Sequence, residues 1–152
     1  MMQGEEWLVE GFGCRAQALR DPGLLRELCQ RVICDLSLHV LGEPQWEQFP
    51  SPGGVTGLYL LSESHLACHT WPEHGTLSLN LFTCRNRERW DWEAALAEMF
   101  QAERVTVRRI ARGIQPDTTS HSAELARAEF VNSANRPLPE SAAMHREETS
   151  RP

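Results

Sequence analysis

The chain has 152 residues, a net charge of −6 and fifteen basic residues, all of them arginine. That length suffices for one domain with a core of its own, and the acidic balance speaks against nucleic acid as a partner. The lack of lysine excludes a pyridoxal phosphate Schiff base and a P-loop.

Met1 to Trp7 is acidic and polar, unlike a signal peptide. Cys14, Cys29, Cys34, Cys68 and Cys84 form no CxxC pair, so free thiols in a reducing cytoplasm are expected. No apolar run approaches the length of a membrane span. Trp7 to Phe12 predicts a first strand. Asp21-Pro22 reads as a helix N-cap followed by proline at the first helical position. Leu24, Leu25, Leu28, Cys29, Val32, Ile33 and Leu36 then recur at helical spacing. Leu38 to Leu41 predicts a second strand, broken at Gly42-Glu43-Pro44.

The turn-rich Pro50-Ser51-Pro52-Gly53-Gly54 leads into the longest strand-like segment, Val55 to Thr70. Trp71 to Gly75 turns the chain. Leu77, Leu79 and Leu81 then alternate with Ser78, Asn80, Phe82 and Cys84, the pattern of a strand with two unlike faces. Asp91 caps a second helix with an apolar stripe of Trp92, Ala95, Leu96, Met99 and Phe100. Arg104 to Ile110 predicts the last strand, and the arginines from 104 to 112 read as a solvated face.

The order β-α-β-β-β-α-β predicts an α+β two-layer sandwich, an antiparallel sheet with two helices on one face. The uncovered face is apolar enough to predict a homodimer formed through or beside the sheet. From Ile114 to Pro152 there is no glycine or tryptophan, and Ser, Thr, Pro, Ala and Glu are frequent. Residues 5–113 are expected to form the domain and 114–152 a mostly disordered tail, in which Ala123 to Phe130 has the makings of two helical turns.

Chemistry concentrates in Glu63-Ser64-His65 and in His69-Thr70-Trp71-Pro72-Glu73. With Gly54-Val55-Thr56-Gly57 and Phe82-Thr83-Cys84, these motifs resemble the prokaryotic S-adenosylmethionine decarboxylases. The resemblance implies that the chain cleaves itself between Glu63 and Ser64 and converts Ser64 into a covalent pyruvoyl cofactor. In such cleavage the serine hydroxyl attacks the preceding carbonyl, an ester replaces the amide, and elimination leaves a dehydroalanine that hydrolyses to the ketone. A substrate amine condenses with that ketone, carbon dioxide leaves, and an acid reprotonates the α-carbon.

The resemblance further assigns Thr56 and His69 to processing and Cys84 to proton donation. It places Phe49 and Trp71 where the family stacks adenine, and Glu73 where it holds the ribose hydroxyls. It implies dimers of cleaved protomers with sites at their interface, and a product that donates aminopropyl groups to spermidine. The family usually has serine at Thr56, an acid near Gly11, aspartate at Asn80 and glycine at Arg85. These changes thin the negative charge around a site whose usual substrate is a sulfonium. Arginine or ornithine decarboxylases of the same fold are therefore the alternative. A second alternative is an uncleaved, non-enzymatic homologue that binds or regulates a partner.

Two geometric expectations stand apart from the family. A hairpin centred near Glu73 puts Cys84 opposite about residue 62. Ser64 and His69 lie five strand residues apart, about 17 Å at ~3.3 Å per residue, so only a second protomer could bring His69 to Ser64. His65, Cys68, His69 and Cys84 are candidate metal ligands, yet a strand splits His65 and His69 from Cys68, a poor arrangement for tetrahedral zinc. No metal is expected. His39 and His121 read as isolated histidines.

Overall fold

A computed structural model describes residues 4–113; the expectations for 114–152, including His121, lie outside the described residues. The elements are β1 (Gly4–Phe12), α1 (Ala16–Leu19), α2 (Pro22–Asp35), β2 (Gln45–Gln48), β3 (Val55–Leu61), β4 (Ser64–Trp71), β5 (Thr76–Thr83), α3 (Trp92–Phe100) and β6 (Arg104–Arg112), with a 3₁₀ turn at Pro72–His74. The strands form one sheet in the order β2-β3-β4-β5-β1-β6, and every neighbouring pair is antiparallel. No helix among the described residues is long and apolar enough to cross a membrane.

Alternation along each strand gives the sheet two faces. Val55, Tyr59, Leu66, Cys68, Leu77, Leu79, Leu81, Trp7 and Val9 point to one side and are buried with Leu25, Leu28, Cys29 and Val32 of α2 and Trp92, Leu96 and Phe100 of α3. Each fully buried leucine contributes about 1.5–3 kcal/mol relative to exposure. Asp21 caps α2 by accepting from the Gly23 and Leu24 amides at 2.8 and 3.2 Å, and Asp91 caps α3 through the Ala94 amide. Both satisfy donors that the helix itself leaves free.

The other face carries Leu8, Leu58, Leu60, Phe82 and Ile110 among polar groups, with Leu58, Leu60 and Ile110 exposed. Arg108 and Arg112 on this face pair with Glu10 and Glu6. Across the sheet Glu5 is buried, where it accepts from Arg109 and from the Arg87 amide.

The strand expected at Leu38–Leu41 is not one. Only an isolated bridge, Val40 to Leu61, forms there, because Ser37 and Gly42 both take positive φ and break the extended chain on either side. The edge strand is instead the polar Gln45–Gln48. One contact explains it: Trp46 lies over Gly57, where an added Cβ would sit 2.5 Å from the indole, and it meets Tyr59 edge-on. The long segment Val55–Thr70 is two strands folded back at Ser62-Glu63, with Leu61 paired to Ser64. The sheet therefore has six strands rather than five, and a short additional helix, α1, precedes α2.

Candidate active site

The turn between β3 and β4 places Ser64 in an unusual backbone conformation. Its φ is 133°, a region that glycine tolerates and other residues occupy at a cost of about 1–3 kcal/mol. The carbonyl of Glu63, immediately before it, accepts from the Cys84 amide at 3.0 Å. Cys84 thus lies opposite Glu63, one residue from the expected position. The Glu63 carboxylate pairs with Arg87, whose guanidinium also donates to the Leu36 carbonyl at 3.0 Å.

The Arg87 amide is fixed on Glu5 Oε1 at 2.6 Å, so the segment after β5 is tied to both β1 and the turn. Glu63 Oε2 and Arg87 Nε are nevertheless buried without partners. A cavity of about 420 Å³ adjoins them, lined by Ser37, His39, Ser62, Glu63, Cys84, Arg85 and Arg87. His39, read as isolated, is part of this lining. Ser64 Oγ lies 3.0 Å from His65 Nδ1, and His65 Nε2 lies 3.3 Å from Asn80 Nδ2.

The far end of β4 is built differently. Antiparallel register pairs Thr56 with His69, and Thr56 Oγ1 is 2.6 Å from His69 Nδ1. The His69 ring packs against Trp71 with centroids 4.3 Å apart and against Phe49 at 6.0 Å. Phe49 and Trp71 remain exposed at 46% and 38%. With Glu73, Pro50 and Pro52 they line a cleft of about 180 Å³. The loop bearing Phe49 is held by Gln48 Nε2 on the Arg20 carbonyl at 2.7 Å and by Arg20 Nε on the Pro52 carbonyl at 2.6 Å. Thr70, buried behind the cleft, accepts from the Val55 amide and donates to the Leu19 carbonyl.

The structure therefore gathers the residues singled out in the sequence into two groups. Glu63, Ser64 and Cys84 stand at one end of β4, while Thr56, His69, Phe49, Trp71 and Glu73 stand at the other. A groove of about 450 Å³ on the open face connects Asn80 with Thr56 and His69. Two residues that the sequence did not assign to the turn at Ser64 stand beside it. His65 reads from the sequence only as a candidate metal ligand, although its place beside Ser64 in the triplet is a signal. Arg87 had none, because a loop arginine is ordinarily solvated. His65 and His69 share one face and Cys68 points into the core. All five cysteines are free thiols.

Taken together, the fold and its site define an antiparallel sandwich with a strained serine at a hairpin turn and an aromatic cleft along the same strand. A model of the S-adenosylmethionine decarboxylase family matches residues 5–113. The S-adenosylmethionine decarboxylase proenzyme of Pelotomaculum thermopropionicum is 38% identical over 116 residues, covering 76% of this chain and 90% of that protein. The proenzyme of Acetivibrio thermocellus is 36% identical over 114 residues, covering 73% and 89%. The crystal structure of the adenosylmethionine decarboxylase from Aquifex aeolicus superposes with a TM-score of 0.61 at 26% identity, covering 78% of this chain and 98% of that one. The chain belongs to the S-adenosylmethionine decarboxylase family.

Proposed function

We propose that this protein cleaves itself between Glu63 and Ser64 and then decarboxylates S-adenosylmethionine in the cytoplasm, supplying the aminopropyl donor for spermidine synthesis. The observation that carries the reading is Ser64, with φ 133° beside a carbonyl already engaged by the Cys84 amide. A donor on that oxygen polarises the carbonyl and stabilises the oxyanion formed when Ser64 Oγ attacks. Opening the peptide bond also releases the backbone strain. The buried, unpartnered atoms of Glu63 and Arg87 suit a site where a second carboxylate, the new C-terminus, appears after cleavage.

Once formed, the pyruvoyl group supplies an electrophilic carbonyl for the substrate amine and a sink for the electrons released with carbon dioxide. The side chains around it do the rest. Cys84, the residue just after β5, lies directly across from the cleavage point, its amide on the Glu63 carbonyl, and its thiol returns a proton to the substrate α-carbon. Phe49 and Trp71 offer two exposed aromatic surfaces for a flat base, and Glu73 a carboxylate for ribose hydroxyls. Two exposed rings packed on His69 favour a nucleoside-bearing substrate over arginine or ornithine, whose side chains have no aromatic surface to stack.

His69 cannot serve Ser64 of its own chain across about 17 Å of strand. We therefore read the active unit as a homodimer in which His69 of one protomer assists cleavage in the other, while the aromatic cleft beside it holds the substrate. Purified protein should run as two fragments, 1–63 and 64–152, and Ser64→Ala as one inactive chain. Cleavage persisting in Ser64→Ala would remove the reading. Carbon dioxide release from S-adenosylmethionine but not from arginine or ornithine checks the substrate.

A further inference from the structure

We propose that His65 is a catalytic residue of chain cleavage: a hydrogen-bond donor, held toward Ser64 Oγ by Asn80, that stabilises this oxygen as it leaves. The inference rests on the self-processing reading above. Four side chains from three strands carry it. Asn80 Nδ2 lies 3.1 Å from Glu6 Oε1 and 3.3 Å from His65 Nε2, and His65 Nδ1 lies 3.0 Å from Ser64 Oγ. A carboxylate only accepts, so Asn80 must present its amide nitrogen to Glu6. Glu6 is itself anchored by Arg112 through its other oxygen.

The second hydrogen of that amide faces His65 Nε2, which therefore accepts. A neutral imidazole that accepts at Nε2 carries its proton on Nδ1. The ring is flanked by its cross-strand partners Leu60 and Phe82, with the Phe82 centroid 5.8 Å away. Neither neighbour offers a polar group that would favour the opposite tautomer.

A proton on Nδ1 decides what His65 can do. It has no lone pair toward Ser64 Oγ and cannot take the hydroxyl proton in the first step. It can stabilise charge on Oγ in a later one. After the acyl shift, Oγ is the ester oxygen joined to the Glu63 carbonyl carbon. In the elimination a base removes the Ser64 Cα proton and that electron pair forms the Cα=Cβ bond. The Cβ–Oγ bond breaks, and its pair departs on Oγ as the carboxylate of Glu63. An N–H already aimed at Oγ favours that departure. His65 and Asn80 thereby act on ester breakdown, leaving proton abstraction to another group.

The test follows newly synthesised chains on gels with and without hydroxylamine, which splits esters but leaves amides whole. A wild-type chain that never cleaves sinks the self-processing reading itself. If it cleaves, His65→Ala should slow fragment formation about a hundredfold while hydroxylamine-sensitive chain accumulates. His65→Asn, whose amide nitrogen takes the place of Nδ1, should recover most of the rate, which a loss of packing would not allow. Wild-type cleavage in His65→Ala, a stall without hydroxylamine-sensitive chain, or no recovery in His65→Asn would each overturn the proposal. Nitrogen-15 NMR reads the part of Asn80 separately, in the uncleaved Ser64→Ala background. His65 should carry its proton on Nδ1 alone, and Asn80→Asp, which only accepts, should place one on Nε2. A proton on Nε2 with Asn80 in place would refute the tautomer.

Discussion

At the start of β4, Ser64 is strained, half-buried and surrounded by hydrogen bonds from three strands and the loop after β5. At its end, His69 and Trp71 stand in an open cleft with one side-chain hydrogen bond, between His69 and Thr56, and two exposed rings, Phe49 and Trp71. The first end suits the proposed reaction of the chain on itself, where atoms must already be in place. The second suits the proposed substrate, whose binding must leave aromatic surface free beforehand. One strand joins the two ends and keeps them apart by five residues. That separation is what makes a second protomer part of the proposed chemistry.

The sharpest way to break this division is co-expression of Ser64→Ala with His69→Ala. If sites are shared, a mixed dimer places the intact Ser64 of the His69→Ala chain against an unaltered His69 of its partner. That chain alone should be cleaved, and the Ser64→Ala chain should remain whole. Mixed dimers in which neither chain is cleaved would show that His69 acts within its own protomer.

A smaller effect separates the ends by single substitutions. Arg87→Gln leaves the buried Glu63 carboxylate without its partner and loosens the turn, so precursor cleavage should slow about 10- to 100-fold. Trp71→Ala should leave cleavage at its ordinary rate and raise the KM for S-adenosylmethionine about tenfold, as the loss of about 1–3 kcal/mol of stacking implies. Equal effects of both variants on cleavage and KM would mean that the ends do not divide the work.

The smallest expected effect is on stability at high pH. Burial pushes the Cys14 thiol up to about 11 and the Tyr59 phenol up to about 12. In each case the folded chain holds the proton more tightly than the unfolded one. The resulting stability is complete below the ordinary thiol value of 9.0 and is lost as pH rises from there through about 11. The Cys14 amide donates to the Gly75 carbonyl at 2.9 Å, so the loss concerns the turn beside the cleft. The melting temperature should be level to about pH 9 and decline above it, less steeply in Cys14→Ala; an unchanged slope would assign the decline elsewhere.

Much of this was legible in the chain. Asp21-Pro22 and Asp91 announced two helices, because a side-chain cap satisfies amides that local sequence leaves open. Leu77 to Cys84 announced a two-faced strand through its period of two. Hairpin arithmetic alone brought Cys84 within one residue of its place and set His69 far from Ser64, because antiparallel register is linear in residue number. The triplet at Ser64 carried the proposed chemistry, since a hydroxyl must follow the peptide bond it attacks.

Other features belong to the tertiary structure. The edge strand at Gln45–Gln48 has no alternating pattern and exists because Trp46 finds the space over Gly57, eleven residues further along the chain beyond a loop. The positive φ of Ser64 comes from a turn closed by two strands that no single stretch encodes. Arg87 reaches Glu63, and Asn80 reaches both Glu6 and His65, across 24, 74 and 15 residues of sequence. Local pattern shows which face a side chain takes; which distant partner it meets there, and hence which proton it holds, is decided only when the strands assemble.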